Sequence, residues 1–160
     1  KEATTRSREL LRSELKDLRN RSKEPIVIHF TAQALVRDDM VFVLPADADP
    51  DDEDTWVSVR EVLKAVKDCP AEHKLLILDL AHGLVEPRLG ITVDRVAETL
   101  ETIISKEEPK FRILCPSSAG QASLTSEVLR CSVLAHYLDQ GLHGPADVKK
   151  DGISVQELFD

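Results

Sequence analysis

Lys74-Leu75-Leu76-Ile77-Leu78-Asp79-Leu80-Ala81-His82-Gly83 is the stretch on which the fold turns. Leu75 to Leu78 is an unbroken apolar run, bounded by charge on both sides and too short for an ordinary helix. A strand buried on both faces of a parallel sheet reads this way. Asp79, Ala81 and His82 are polar or small and fall at its carboxyl end. In open α/β sheets that end is where ligand and catalytic groups gather.

Upstream of this strand, Leu10, Leu11, Leu15 and Leu18 recur at helical spacing and predict a helix over 4–21, with Thr4 or Thr5 as its cap. After Pro25, Ile26-Val27-Ile28-His29-Phe30 is β-branched and predicts a strand. Thr31 to Ala34 follows as a small-residue segment. Arg37-Asp38-Asp39 is polar enough for a turn, and Met40 to Leu44 reads as a further strand, an edge of the sheet. Pro45 to Asp54 is an acidic loop. It lacks the glycine-pivoted spacing of a calcium loop, so a solvated loop is expected there rather than a metal site. Val59, Val62, Leu63 and Val66 give the apolar stripe of a helix over 57–69, closed by Pro70.

Downstream, the pattern predicts a loop over 83–90, a helix over 92–106 and a strand over 111–115. A Ser/Gly loop over 116–123, an apolar helix over 124–140 capped by Gly141, and a last helix over 153–159 complete it. Alternating strands and helices imply an α/β class protein: a three-layer α/β/α sandwich around a mostly parallel sheet, in a single domain over 1–160.

The chain has 160 residues, is 42% hydrophobic and carries a net charge of −8. That suffices for one well-buried core. Nucleic-acid binding wants clustered Lys and Arg, and the basic residues of 6–23 are interleaved with acids, so no nucleic-acid partner is expected. No apolar run approaches the roughly 20 residues of a bilayer span. Cys69, Cys115 and Cys131 have neither zinc spacing nor a disulfide framework, which suits a reducing, cytoplasmic setting. No cofactor and no metal are expected. The sequence opens at Lys1 within a helical pattern, as a piece of a longer protein would.

The strand-end motifs resemble those of the caspase and metacaspase family of cysteine peptidases, and more narrowly bacterial caspase-like proteins. That family ends one strand in a Phe-Ser-Gly-His-Gly type motif and a later one in Asp-Ser-Cys-His-Ser-Gly. Here Phe30-Thr31-Ala32-Gln33-Ala34 and Asp79-Leu80-Ala81-His82-Gly83 stand in their places. Gln33 and Ala81 are 48 positions apart, near the spacing of about 50 between the caspase His and Cys. Val43-Leu44-Pro45-Ala46-Asp47 is similar to the segment after the family's His loop. Ser118-Ala119-Gly120-Gln121, Gly141-Leu142-His143-Gly144, Asp147 and Asp151-Gly152 are similar to its small-subunit portion. The resemblance implies a large-subunit-like portion over about 1–115 and a small-subunit-like portion over 116–160. It also implies that the family's opening strand and first helix are missing from this chain.

The departures fall where the chemistry should be. Caspase-type cleavage needs a thiolate and a neighbouring histidine that protonates the leaving amine. Gln33 occupies the histidine position and Ala81 the cysteine position, and neither can do that work. The expectation is a catalytically inactive, pseudo-peptidase domain that binds or regulates within a larger protein. The alternative is an inactivated form of a cysteine endopeptidase that cuts after basic residues, or a hydrolase using His82 with Ser117 or Ser118. Asp79 matches the family acid that faces a basic substrate residue, so Asp79, His82 and Ser118 are the candidate peptide-binding residues. Hydrogen bonding of Asp79 to loop amides is the structural alternative. His29 is expected to be a satisfied core histidine, and Cys115 an inert thiol. The partner would be a protein or peptide, and dimerisation through the edge strand near 111–115 is a further expectation.

Overall fold

The computed structural model describes residues 7–49, 51–82, 95–121, 123–126 and 128–143. The chain divides into two compact units, Lys1–Ala122 and Ser123–Asp160, which are taken separately.

The first unit is built on a five-stranded sheet. Strand β1 is Ile26–Arg37, β2 Met40–Leu44, β3 Val57–Ser58, β4 Lys74–His82 and β5 Arg112–Leu114. Their order across the sheet is β3-β2-β1-β4-β5. β4 is parallel to both β1 and β5, whereas β2 is antiparallel to β1 and β3 to β2. Four strands thus run the same way and β2 alone runs against them, so the sheet is mostly parallel. Helix α1 spans Arg8–Asp17, with a 3-10 turn at Leu18–Asn20; α2 spans Val59–Asp68 and α3 Val96–Glu107.

β1 alternates strictly. Ile26, Ile28, Phe30, Ala32 and Ala34 lie on the side facing the helices, and Val27, His29, Thr31 and Gln33 on the other, exposed side. The core joins the first set to Val41, Val43, Leu76, Leu78 and Leu80, with Leu11 and Leu15 of α1, Val62 and Val66 of α2, and Leu100 and Ile103 of α3. All three helices therefore lie over one face of the sheet. Connection handedness explains this: the steps β1 to β4 and β4 to β5 move across the sheet in the same direction, and right-handed crossovers place both helices on the same side. Over the described residues of this unit, the expected helices on both faces are replaced by helices on one.

Several boundaries differ from the sequence pattern. The first helix begins at Arg8 with Ser7 as its cap, its hydroxyl accepting from Leu10 N, instead of at Thr4 or Thr5, which lie outside the described residues. β1 does not end at Phe30. Its pairing with β2 from Gln33 to Arg37 extends it through the small-residue segment. The turn between them is Asp38-Asp39, both at positive φ, the two-residue geometry that matches strand twist. Met40–Leu44 is not an edge, because β3 pairs outside it. The helix expected from 57 begins at Val59, with Ser58 as its cap.

In the second unit, strands β6 (Thr125–Ser126) and β7 (Cys131–Ser132) form a small hairpin, and helix α4 covers Val133–Leu142. The helix expected over 124–140 is thus half hairpin. Arg130 takes a left-handed φ of 55°, and Ser132 restarts the helix by accepting from Ala135 N at 3.0 Å. Gly141 lies inside α4 rather than capping it, and His143 is the capping residue. The loop expected over 83–90, the segment with Asp147 and Asp151, and the helix expected over 153–159 lie outside the described residues.

Candidate functional site

The carboxyl end of β4 lies beside the second half of β1. Their parallel register pairs His29 with Ile77, Thr31 with Asp79, Gln33 with Ala81 and Ala34 with His82. Gln33 and Ala81, far apart in sequence, are therefore immediate neighbours on one face. Cβ atoms alternate along a strand, so Gln33, Ala81, Asp79, Thr31 and His29 share the face away from the helices. His82 points the other way, on the side of Leu78 and Leu80.

That alternation separates two candidates. Asp79 and His82 are three residues apart on one strand and project from opposite faces, so they do not form an acid–base pair. Ser118 sits in the loop after β5, where its N–H donates to Gln121 Oε1 at 3.1 Å and the next amide, Ala119 N, donates to Glu101 Oε1 at 3.1 Å. These bonds give Ser118 a loop-forming role beside α3. Ser117 lies in the same loop.

The histidine that does meet Asp79 is His29. Its Nε2 lies 3.7 Å from Asp79 Oδ2 and 3.0 Å from Thr31 Oγ1. His29 was expected in the core, but its side chain is 35% exposed while the Asp79 carboxylate is 1% exposed. The reason is strand parity: an odd-numbered position in β1 faces away from the helices. A hydroxyl, an imidazole and a carboxylate together invite comparison with a nucleophile–base–acid triad. In a triad the two partners use opposite ring nitrogens. Here Thr31 and Asp79 both approach Nε2, so no proton can be relayed through the ring between them. The cluster is a polar anchor on the sheet, not a nucleophile.

Cys115 immediately follows β5. Burial, reinforced by the Glu101 carboxylate, pushes its thiol up to about 11, which keeps it protonated and unreactive near neutral pH. Cys69, Cys115 and Cys131 are all unpaired thiols.

One other place was marked by the sequence. The acidic loop spends its carboxylates on its own backbone: Asp49 accepts from Asp51 N at 2.9 Å and Asp52 from Asp54 N at 3.0 Å. Asp47 accepts from Arg8 N at 2.7 Å, at the first turn of α1. Among the described residues no three or more His, Cys, Asp or Glu side chains are grouped to hold a metal ion. A cleft of about 460 Å³ lies between α1, α2 and β2, lined by Arg12, Phe42, Trp56 and Glu61 among others. Across it Arg12 pairs with Glu61 at 3.1 Å, and Arg8 donates to the Asp54 carbonyl oxygen. No helix among the described residues is long and apolar enough to cross a membrane.

No protein-family model matches the chain, and no curated protein matches it. Strand parity could have revealed from sequence that His29 faces away from the core, because Val27, His29, Thr31 and Gln33 alternate with Ile28, Phe30, Ala32 and Ala34. What it could not supply is the register of β1 against β4.

Proposed function

We propose that this chain is a catalytically inactive caspase-like domain that acts as a protein- or peptide-binding module of a larger, cytoplasmic protein. The observation that carries this reading is the register pairing of Gln33, in the second half of β1, with Ala81 at the carboxyl end of the adjacent parallel strand β4. A caspase-type dyad would need its imidazole and thiol on neighbouring strands, and these two positions have that relation without either group. Among the described residues no substitute stands beside them: Cys115 is held protonated, and His29 meets Thr31 and Asp79 through one nitrogen. Three unpaired cysteines accord with a reducing compartment. In this reading an additional segment of the parent protein supplies the opening strand and first helix of the fold.

Binding of a basic side chain by Asp79 is the part that the geometry supports least. The carboxylate is closed to solvent and already beside His29, so a Lys or Arg could reach it only by displacing its cover. Asp79 serves first as a structural acceptor.

The test is cleavage of fluorogenic peptides ending in Arg, Lys or Asp by the full-length parent protein and by its Gln33→His/Ala81→Cys variant. The natural protein is expected to be silent and the variant to gain thiol-dependent cleavage. Cleavage by the natural protein would overturn the reading. A folded variant that stays silent would remove the peptidase-derived geometry on which it rests.

A further inference from the structure

Among the described residues, one side of the first half of β1 is an edge that is long, uncharged and open. β1 is 12 residues long, yet β2 pairs only with Gln33–Arg37, whereas β4 pairs with Ile26–Ala34 on the opposite side. Among the described residues, Ile26 to Ala32 are therefore hydrogen-bonded along one side only.

Strand parity says which groups are left over. Ile26 N donates to His73 O at 2.9 Å, so the even-numbered residues of β1 turn their N–H and C=O toward β4. Val27, His29 and Thr31 turn theirs away, into the open edge, and these are also the exposed residues of the segment. In a strand their donors and acceptors repeat about every 7 Å. Such a row is satisfied by another extended backbone.

Other edges of this sheet are guarded in the usual ways. β3 has two residues, and β5 has three and includes Arg112. β4 is also one-sided beyond Ile77, but Leu78 and Leu80 are buried there. Ile26-Val27-Ile28-His29-Phe30-Thr31-Ala32 contains no Lys, Arg, Asp, Glu, Pro or Gly, and it is rich in β-branched and aromatic residues. It has none of the devices that keep an exposed strand from pairing.

We propose that this edge of β1 is a docking site for a single extended peptide strand of a partner protein, which adds to the sheet beside Ile26–Ala32. The inference stands on the strand edge alone and makes no use of the caspase-like reading. A second copy of this chain does not fit. Pairing β1 with its symmetry mate would drive the mate's β2, which lies in line with the docking position, into Lys23–Pro25. Those residues run straight into β1, held by Lys23 O accepting from Glu72 N at 3.2 Å. The occupant is therefore a lone strand. It needs apolar residues alongside Ile28 and Phe30, whose half-buried side chains border the core. Alongside His29 and Thr31 it needs polar ones, and the net charge of −8 favours Lys at its ends.

The probe is the acetylated, amidated heptapeptide Lys-Val-Thr-Ile-Thr-Val-Lys, with two backbone N-methylated versions, one methylated at the Thr nitrogens and one at the Val and Ile nitrogens. The peptide is expected to slow amide exchange at Val27, His29 and Thr31, which exchange quickly in the free protein, while Ile28 and Phe30 are protected throughout. One methylated version should bind at least roughly tenfold more weakly and the other nearly as well as the parent. The Thr set is the sensitive one if the strand adds antiparallel, the Val/Ile set if it adds parallel. Absence of binding would overturn the proposal. So would equal affinity of the two methylated peptides, or Val27, His29 and Thr31 amides already protected in the free protein.

Discussion

At the scale of single residues, environment decides what each candidate group can do. Cys115 carries a nucleophile but cannot use it, because burial and the nearby Glu101 hold the thiol up to about 11. A thiol with an ordinary value of 9.0 when unfolded and a raised one when folded binds its proton more tightly in the native state. The stabilising contribution is therefore complete below pH 9 and is lost as pH rises toward 11. Alkylation by iodoacetamide at pH 8 should leave Cys115 largely unmodified in the folded protein and modify it fully in urea, as read by mass spectrometry of the cysteine peptides. Urea unfolding should show a midpoint that falls between pH 9 and about 11; a midpoint that holds or rises there, compared with Cys115→Ala, would contradict the assignment. Asp79 and His29 show the same dependence on place. Asp79 is near a strand end, as a ligand-binding acid would be, yet its carboxylate is closed to solvent.

At the scale of elements, helices and strands are held more by apolar faces than by ion pairs. α1 lies beside α2 with matched pairs, Arg12 to Glu61 at 3.1 Å and Arg19 to Asp68 at 2.8 Å. Both pairs are exposed enough that each is worth at most about 1 kcal/mol. Leu11, Leu15 and Leu18, all buried, do most of the attaching. The β1–β2 turn carries a different cost. Asp38 and Asp39 sit at φ values of 49° and 56°, where a side chain is strained and glycine is not. Asp39→Gly is expected to raise the stability of the protein by about 0.5 kcal/mol. It gives up the Arg95 to Asp39 contact at 3.2 Å, but that pair is exposed and contributes little. Thermal unfolding checks the sign, and a lowered melting temperature would mean that the ion pair outweighs the turn.

For the molecule as a whole, the governing feature is a sheet with one helix-covered face in its first unit. Substitutions on the two faces of neighbouring strands should therefore have very different effects. Leu76→Ala removes a side chain at 0% exposure from the core and is expected to cost about 2–5 kcal/mol. Val27→Thr, at a position 64% exposed, is expected to change stability by no more than about 0.5 kcal/mol. Denaturant titration of both variants compares them directly, and a large effect at Val27 would show that the outer face is covered.

The amino-acid sequence by itself determined the local elements of this protein. The apolar run Leu75–Leu78 made a strand, the stripe Val59, Val62, Leu63 and Val66 made a helix, and Arg37-Asp38-Asp39 made a turn. Each of these depends on side-chain period or turn chemistry within a few residues of chain. Even the exposure of His29 was legible in the alternation of β1. Three things were decided only by tertiary structure: the pairing of Gln33 with Ala81, the meeting of His29 with Asp79, and the open edge of Ile26–Ala32. All three follow from strand register, which is set when distant segments bury their apolar faces together. Shifting β1 by one residue against the helices would turn Ile28 and Phe30 outward and His29 inward. Burial of those side chains selects the register, and the register then places every polar group on the opposite face.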